Sequence, residues 1–274
     1  MYVKCCNSPS DFKGCTLILP AVSVGNVGQL AVDLLVATLN LERVGFIHDD
    51  CILPVCGNDA FLKTNETQGK LVTSTEVYYC ADQSLVVVQQ RAPIVKGKQR
   101  EFCRKLSDWI KTCQFDKVIL LTSSYAHERI DSQIQGSPLR YVVTPTLQDK
   151  IGMLLQDDMK WCQFERRDPT WTKSLDKEEE DIPDTAKGVF IPGGGIAKKL
   201  FIQGCKDNLP IAVLSVFCAE GDNIPDTFTL ISYLNQWLAL LPNQSSDSEV
   251  PSSSWTIPSS WSLLFGSGVD KSIY

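Results

Sequence analysis

A chain of 274 residues with 43% hydrophobic and 21% charged residues is long enough to bury a substantial core and too apolar for a disordered or fibrous polymer. Its net charge of -6 argues against a general affinity for nucleic-acid backbones, which rests on Lys and Arg displacing counterions, and no apolar run reaches the ~20 residues of a membrane span. The eleven cysteines are odd in number, follow no apolar leader and include no C-x-x-C pair, so reduced thiols inside the cell are expected, without disulfides or structural zinc.

Taken in chain order, TLIL (16–19) is a short β-branched and apolar run ended by Pro20, followed by the loop AVSVGN and a helical pattern over 28–40. On that helix Val27, Leu30, Ala31, Leu34, Leu35 and Thr38 recur at steps of three and four, which lays one stripe against a sheet. RVGFIH (43–48) predicts the next strand and, with the helix before it, a right-handed βαβ unit. LVTSTEVYY (71–79) and SLVVVQQ (84–90) predict an antiparallel pair added to the parallel sheet. A second helix-strand unit follows, with Phe102, Cys103, Leu106, Trp109, Ile110 and Cys113 on one face ahead of KVILLT (117–122). The basic residues Lys96, Lys98, Arg100, Arg104 and Lys105 around it are read as a solvated helix side.

LRYVVT (139–144) is another strand closed by Pro145, with a weaker helix continuing toward Trp161. An acidic, solvated loop is expected over about 165–187, where DKEEEDIPD (176–184) sets six acids against one lysine. GVFIPGGGIAKKLFIQG predicts a short strand, the triple glycine Gly193, Gly194, Gly195 and a helix packed through Ile196, Leu200 and Phe201. PIAVLSVFC (210–218) is apolar without alternation, the pattern of a central strand buried on both faces. The helix after it has Asp222 or Asn223 for a cap, Pro225 in its first turn, an apolar stripe from Ile224 to Leu241, and Pro242 as its stop. The fold expected is a single three-layer α/β/α sandwich on a mixed, mostly parallel sheet, with a domain over 1–242, a Ser-rich linker over 243–254 and an aromatic docking segment over 255–274.

No catalytic constellation assembles from these residues. Gly25 and Gly28 in VGNVG open a helix after a strand, but a dinucleotide fingerprint needs a third glycine and a later acid, so tight turning accounts for them. The triple glycine is either an anion nest or a point of close backbone approach, and the second reading is preferred because Lys198 and Lys199 fit no phosphate-loop spacing. Ser23 lacks the first glycine of a nucleophile elbow, and only His48 and His127 exist to serve it. His48, Asp49 and Asp50 are adjacent on an extended segment and point to alternate sides, so no metal site is expected, nor any cofactor. Glu220 and Asp222 stand beyond a buried strand, where ligands of α/β sheets bind, yet a helix needs caps at that place. Trp255, Ile257, Trp261, Leu263, Leu264 and Phe265 are too apolar for a free tail and either cover their own domain or dock on a partner. Beyond them Ile273, Tyr274 and a terminal carboxylate make a compact ligand for a cation-bearing pocket.

Four stretches in order, PAVSVGNVGQLAVDLL (20–35), IPGGGIAKKL (191–200), EGDNIPD (220–226) and IPSSWSLLFGSG (257–268), resemble the proteasome assembly chaperone family in its second-subunit branch. That resemblance implies an α/β domain without catalysis, a heterodimer with proteasome assembly chaperone 1, a role in building the ring of proteasome α-subunits of the 20S core particle, and a place in cytoplasm and nucleus. It also implies a C-terminal hydrophobic-tyrosine-any motif inserting between α-subunits. Here tyrosine stands last, with Ile273 before it and Ser272 where the apolar residue belongs, so the motif is displaced by one place. The competing reading is a Rossmann or phosphorylase-like nucleotide-binding protein or enzyme, carried by VGNVG and the triple glycine.

Overall fold

β-branched and leucine-rich runs of five to nine residues make the central strands of this protein, and amphipathic segments between them make its helices. The computed structural model describes residues 1–5, 11–62, 69–167, 182–241 and 254–263. In chain order the strands are β1 (Tyr2–Lys4), β2 (Thr16–Pro20), β3 (Glu42–Ile47), β4 (Cys56–Gly57), β5 (Val72–Thr73), β6 (Thr75–Cys80), β7 (Leu85–Gln90), β8 (Lys117–Tyr125), β9 (Leu139–Val143) and β10 (Ile211–Cys218). The helices are α1 (Val27–Thr38), α2 (Gln99–Cys113), α3 (Asp131–Ile134), α4 (Pro145–Met153), α5 (Ala197–Lys206) and α6 (Ile224–Leu238).

Eight strands form one sheet in the order β1-β3-β6-β7-β2-β8-β10-β9, while β4 and β5 pair separately. The sheet is mixed, as expected, but its parallel pairing is confined to the central block β7, β2, β8 and β10. The flanking pairs β1·β3, β3·β6, β6·β7 and β9·β10 are antiparallel, and five of the eight strands, β3, β7, β2, β8 and β10, run in one direction. β3 runs in the direction of β2, yet the hairpin β6–β7 lies between them, so the expected βαβ unit crosses over two strands and does not close on a neighbour. β10 is buried at all eight positions and sits between β8 and β9, in keeping with its unbroken apolar run.

Helices cover both faces. Phe102, Leu106 and Ile110 of α2 and Leu200 and Phe201 of α5 pack with Leu17, Leu19, Val118, Leu120 and Val213 on one side. Val27, Leu34 and Leu35 of α1, Leu147 of α4 and Leu230, Ile231 and Leu234 of α6 pack with Ile18, Ile119, Leu121 and Leu214 on the other. Burying each such side chain stabilises the fold by roughly 1.5–3 kcal/mol, so these two layers carry most of the driving force. α6 ends at Leu238, where Ala239 turns left-handed, three residues short of the expected stripe.

Residues 188–192 do not form the expected strand. Pro192 lies beyond the end of β8 and lends it only a carbonyl, which accepts the Tyr125 N–H at 3.0 Å. The β9 edge of the sheet is closed by residues 162–164: Tyr141 N–H donates to Cys162 O at 3.1 Å and Phe164 N–H to Tyr141 O at 2.9 Å. Much of the expected acidic loop and of the Ser-rich linker falls outside the described residues.

Candidate functional site

In a sheet of this topology the carboxyl ends of the central parallel strands are the first place to look for a ligand. β8 there carries Thr122, Ser123 and Ser124, three hydroxyls with no exposed surface at the end of an otherwise apolar strand. Ser23 follows β2, and its hydroxyl lies 2.8 Å from Ser123 Oγ. Ser123 N–H donates to Ser23 Oγ, and Ser123 Oγ donates to Val24 O, which leaves Ser23 Oγ as donor toward Ser123. Cys218, at the end of β10, directs its thiol to Val24 O at 3.5 Å, and burial pushes its pKa up to about 11, so it stays a thiol at neutral pH. Neither histidine joins this cluster among the described contacts; His127 stands against Tyr125, ring centroids 4.9 Å apart, with its side chain 71% exposed. Ser23 is thus held as a hydrogen-bonding link between the loop after β2 and the end of β8.

The triple glycine closes the same end of the sheet by close approach. A Cβ on Gly195, whose φ is +60°, would fall 2.2 Å from Val22 O, and one on Gly193, at +77°, 2.9 Å from the Tyr125 ring. The turn presents carbonyls inward: Val24 N–H donates to Gly193 O, Ser124 Oγ to Pro192 O and Thr122 Oγ1 to Gly194 O. The Gly194 amide is taken by Ile191 O. Oxygen atoms rimming a crevice repel phosphate, so the close-approach reading of these glycines is the one the contacts support.

VGNVG has the same explanation. Gly25 is left-handed at φ +65°, and the place of its Cβ is filled by the carboxamide of Asn223, 2.6 Å away. Gly28 lets α1 lie directly on β8, since a Cβ there would meet Leu121 O at 2.4 Å. Asn223 caps nothing with its side chain, which donates to Gly221 O at 2.8 Å; Asp222 takes the capping role, accepting the Ile224 N–H at 3.0 Å. Glu220 and Asp222 therefore remain helix-entry residues. The packing role of Asn223 has no sequence signature, because its only cue is a glycine nearly two hundred residues away. The hydroxyls of β8 were more legible, as a polar run inside a strand that is otherwise Val, Ile and Leu.

Asp49, Asp50 and Cys51 do converge, with one ligand atom each within 4.8 Å of the others. Lysines neutralise them: Lys105 Nζ lies 3.1 Å from Asp49 Oδ1 and 2.9 Å from Asp50 Oδ1, and Lys98 Nζ lies 3.1 Å from Asp50 Oδ2. Hydrogen bonds from Lys105 and Lys98 hold Asp50 well below the usual carboxylate range, while burial and Asp49 push the Cys51 thiol up to about 11. A protonated thiol beside two ammonium groups makes a poor cation ligand.

The C-terminal aromatic segment divides in two. Trp255 and Trp261 are each 6% exposed and belong to the core layer of α1 and α6. Their indoles are therefore seated within the chain. Thr256 N–H donates to Thr38 Oγ1 at 2.9 Å, and Ser259 Oγ and Ser260 N–H both reach Ala60 O at 3.3 Å. Ile257 points outward, 56% exposed. Leu264, Phe265, Ile273 and Tyr274 lie outside the described residues. Between this segment, the end of α1 and β3 runs a cleft of about 860 Å³ lined by Arg43, Phe61, Tyr78, Val72 and Ile257. Arg43 is engaged by Glu76, which has no exposed surface and also accepts the Tyr78 hydroxyl at 2.7 Å. The cleft is missed by the sequence reading because its walls come from segments some two hundred residues apart. Further apolar exposure occurs at Leu53, Val55 and Leu71 around the β4–β5 pair, and at Ile134 and Met153.

These features define an α/β/α protein on a mixed sheet whose strand-end crevice is filled by its own hydroxyls, glycines and Asn223. The chain belongs to the PAC2 family, whose model matches residues 17–238. It is 42% identical over 274 residues, all of both chains, to a protein of Danio rerio named "Proteasome assembly chaperone 2". A protein of the same name from Nematostella vectensis is 46% identical over 246 residues, covering 88% of this chain and 96% of that one, and one from Homo sapiens is 40% identical over 274 residues. The resemblance carried by the four sequence stretches is thereby borne out. Among solved structures, the fold is shared with Pyrococcus furiosus PbaA, described as an archaeal homolog of proteasome-assembly chaperone, at a TM-score of 0.61 and 14% identity over 90% of this chain and 89% of that one. It is shared too with a Thermoplasma acidophilum protein of unknown function, at 0.59 and 15% over 85% and 80%.

Proposed function

We propose that this chain is a non-catalytic proteasome assembly chaperone that pairs with proteasome assembly chaperone 1 and helps build the ring of α-subunits of the 20S core particle. The observation that carries this reading is full-length similarity to proteins named as proteasome assembly chaperones, over both the family fold and the C-terminal segment. The filled strand-end crevice supports it. Ser23 is committed to Ser123, the glycine turn offers carbonyls, and Asn223 occupies the space over the start of α1. The surface offers apolar side chains for a partner at Leu53, Val55 and Leu71, at Ile134 and Met153, and at Ile257.

The test is co-expression of the full chain with the first chaperone subunit and tagged α-subunits. The expected result is a stable complex of the two chaperone chains that captures α-subunits; failure of the two chains to co-purify overturns the proposal. Removing Ser272, Ile273 and Tyr274 is expected to weaken capture while leaving the pair intact, as read by size-exclusion chromatography of the complex.

A further inference from the structure

The two helical layers differ in charge. α2 carries Arg100, Arg104, Lys105 and Lys111 against Glu101 and Asp108, and α5 carries Lys198, Lys199 and Lys206 with no acid. On the opposite side of the sheet α1, α4 and α6 together hold three aspartates, Asp33, Asp149 and Asp226, and one lysine, Lys150. A chain whose net charge is -6 thus gathers a basic surface on one side.

The fold makes that surface continuous. Asp207, just past the end of α5, accepts Ser107 Oγ and pairs with Lys111 Nζ at 2.7 Å. Burial pushes the Cys103 thiol up to about 12, with the charge of Lys199 acting to lower it, which puts Lys199 beside this stretch of α2. The two helices therefore run side by side in one direction, 199 next to 103 and 207 next to 107 and 111. Arg104 is 61% exposed and Lys111 41%, and no large apolar side chain of either helix is exposed. A partner seated here is recognised through charge.

Carboxylates are set among the cations. Lys105 is held by Asp49, Asp50 and Glu101, and Lys111 by Asp207. A phosphate backbone laid across the face would meet these acids along its path, in the field of a net-negative chain. An acidic protein surface can instead place its carboxylates opposite the lysines and none opposite the acids. Charged contacts without apolar anchors form quickly, are screened by salt and suit transient partners. An assembly factor has to release what it assembles.

We propose, on the assembly role set out above, that the α2–α5 face docks an acidic surface of the proteasome α-subunits and is the releasable side of this chain. Zero-length carbodiimide cross-linking, which joins a lysine only to a carboxylate in contact with it, tests this on the co-expressed complex. Links from Lys111, Lys198, Lys199 or Lys206 to α-subunit acids are expected, with capture of α-subunits falling steeply as salt rises from about 50 to about 300 mM. The triple variant Lys198→Glu, Lys199→Glu, Lys206→Glu is expected to weaken capture about tenfold or more with the chaperone pair intact. Should that variant fail to fold, Lys199→Gln and the cross-link map decide. Capture unchanged in the variants overturns the docking face, as do links confined to the first chaperone subunit or to this chain's own acids at 176–181. Binding of a single-stranded RNA oligonucleotide through the same lysines, without α-subunit links, overturns it in favour of nucleic acid. In each of these cases the chaperone pair still forms, whereas absence of the pair in the parent complex removes the assembly role itself.

Discussion

Glycine at position 28 does its work by having no side chain: α1 rests on the backbone of β8, and the carbonyl of Leu121 occupies the place where a Cβ would be. Gly28→Ala must push α1 off the sheet, with an expected loss of about 1–3 kcal/mol, the usual cost of overfilling a packed contact. Chemical denaturation of the variant against the parent measures it; a change below about 0.5 kcal/mol would show that α1 shifts freely. The neighbouring Gly25 adds the constraint of its left-handed backbone, and it is Asn223 that fills the gap. A sequence reader sees VGNVG and thinks of phosphate, because the same residue type serves close packing and ligand approach alike. What separates the two is the identity of the atom that occupies the space, and a pattern does not hold that information.

At the scale of elements, α2 and α5 are joined across their ends by Asp207. Its carboxylate accepts Ser107 Oγ, takes Gln203 Nε2 at 2.7 Å and pairs with Lys111 Nζ at 2.7 Å. Burial works to raise its pKa, but the bonds from Gln203, Lys111 and Ser107 outweigh it and hold the group below the ordinary carboxylate value. A folded-state pKa lowered in this way contributes stability that is complete above about pH 4, the unfolded value, and is lost as pH falls through the folded one. Asp207→Asn is therefore expected to lower stability by about 1 kcal/mol at pH 7 and to flatten the acid limb of the stability curve below pH 4. Thermal unfolding from pH 2 to 7 checks both.

Elements themselves were legible where one periodicity ran long enough. The 99–113 stripe became α2 and the 224–238 stripe α6, and the apolar run at 211–218 became the buried strand β10. The order of the strands was not legible. An apolar strand reads the same beside any neighbour, so nothing in RVGFIH tells that the β6–β7 hairpin will lie between it and β2. GVFIP misled for a related reason, since β-forming residues without a free ladder position stay irregular, and Pro192 offers only an acceptor. Trp255 and Trp261 were recognisable as residues needing cover, whereas the choice between their own domain and another depends on where the chain returns.

For the whole molecule, the filled crevice makes a plain prediction. A ligand that binds the native state raises its apparent stability by mass action. Nucleotides and inorganic phosphate at millimolar concentration are expected to leave the melting temperature unchanged, and a reproducible rise of two degrees or more with any of them would restore the nucleotide-binding alternative. Among the described residues no helix is long and apolar enough to cross a membrane. The larger exposed apolar side chains define where to place crosslinkers for a partner.

The hydrogen bond from Thr256 to Thr38 spans 218 residues of sequence. At about 5–20 residues per second, a ribosome needs on the order of ten to forty seconds to travel that distance. Throughout that interval α1, joined once Ala60 is made by the connection it marks, exists without the two indoles of its core layer. The last strand of the sheet, β10, is complete at Cys218, so for the final stretch of synthesis all the strands exist while the layer of α1 and α6 still lacks its two indoles, a natural point for general chaperones to engage a chain that is itself read as a chaperone.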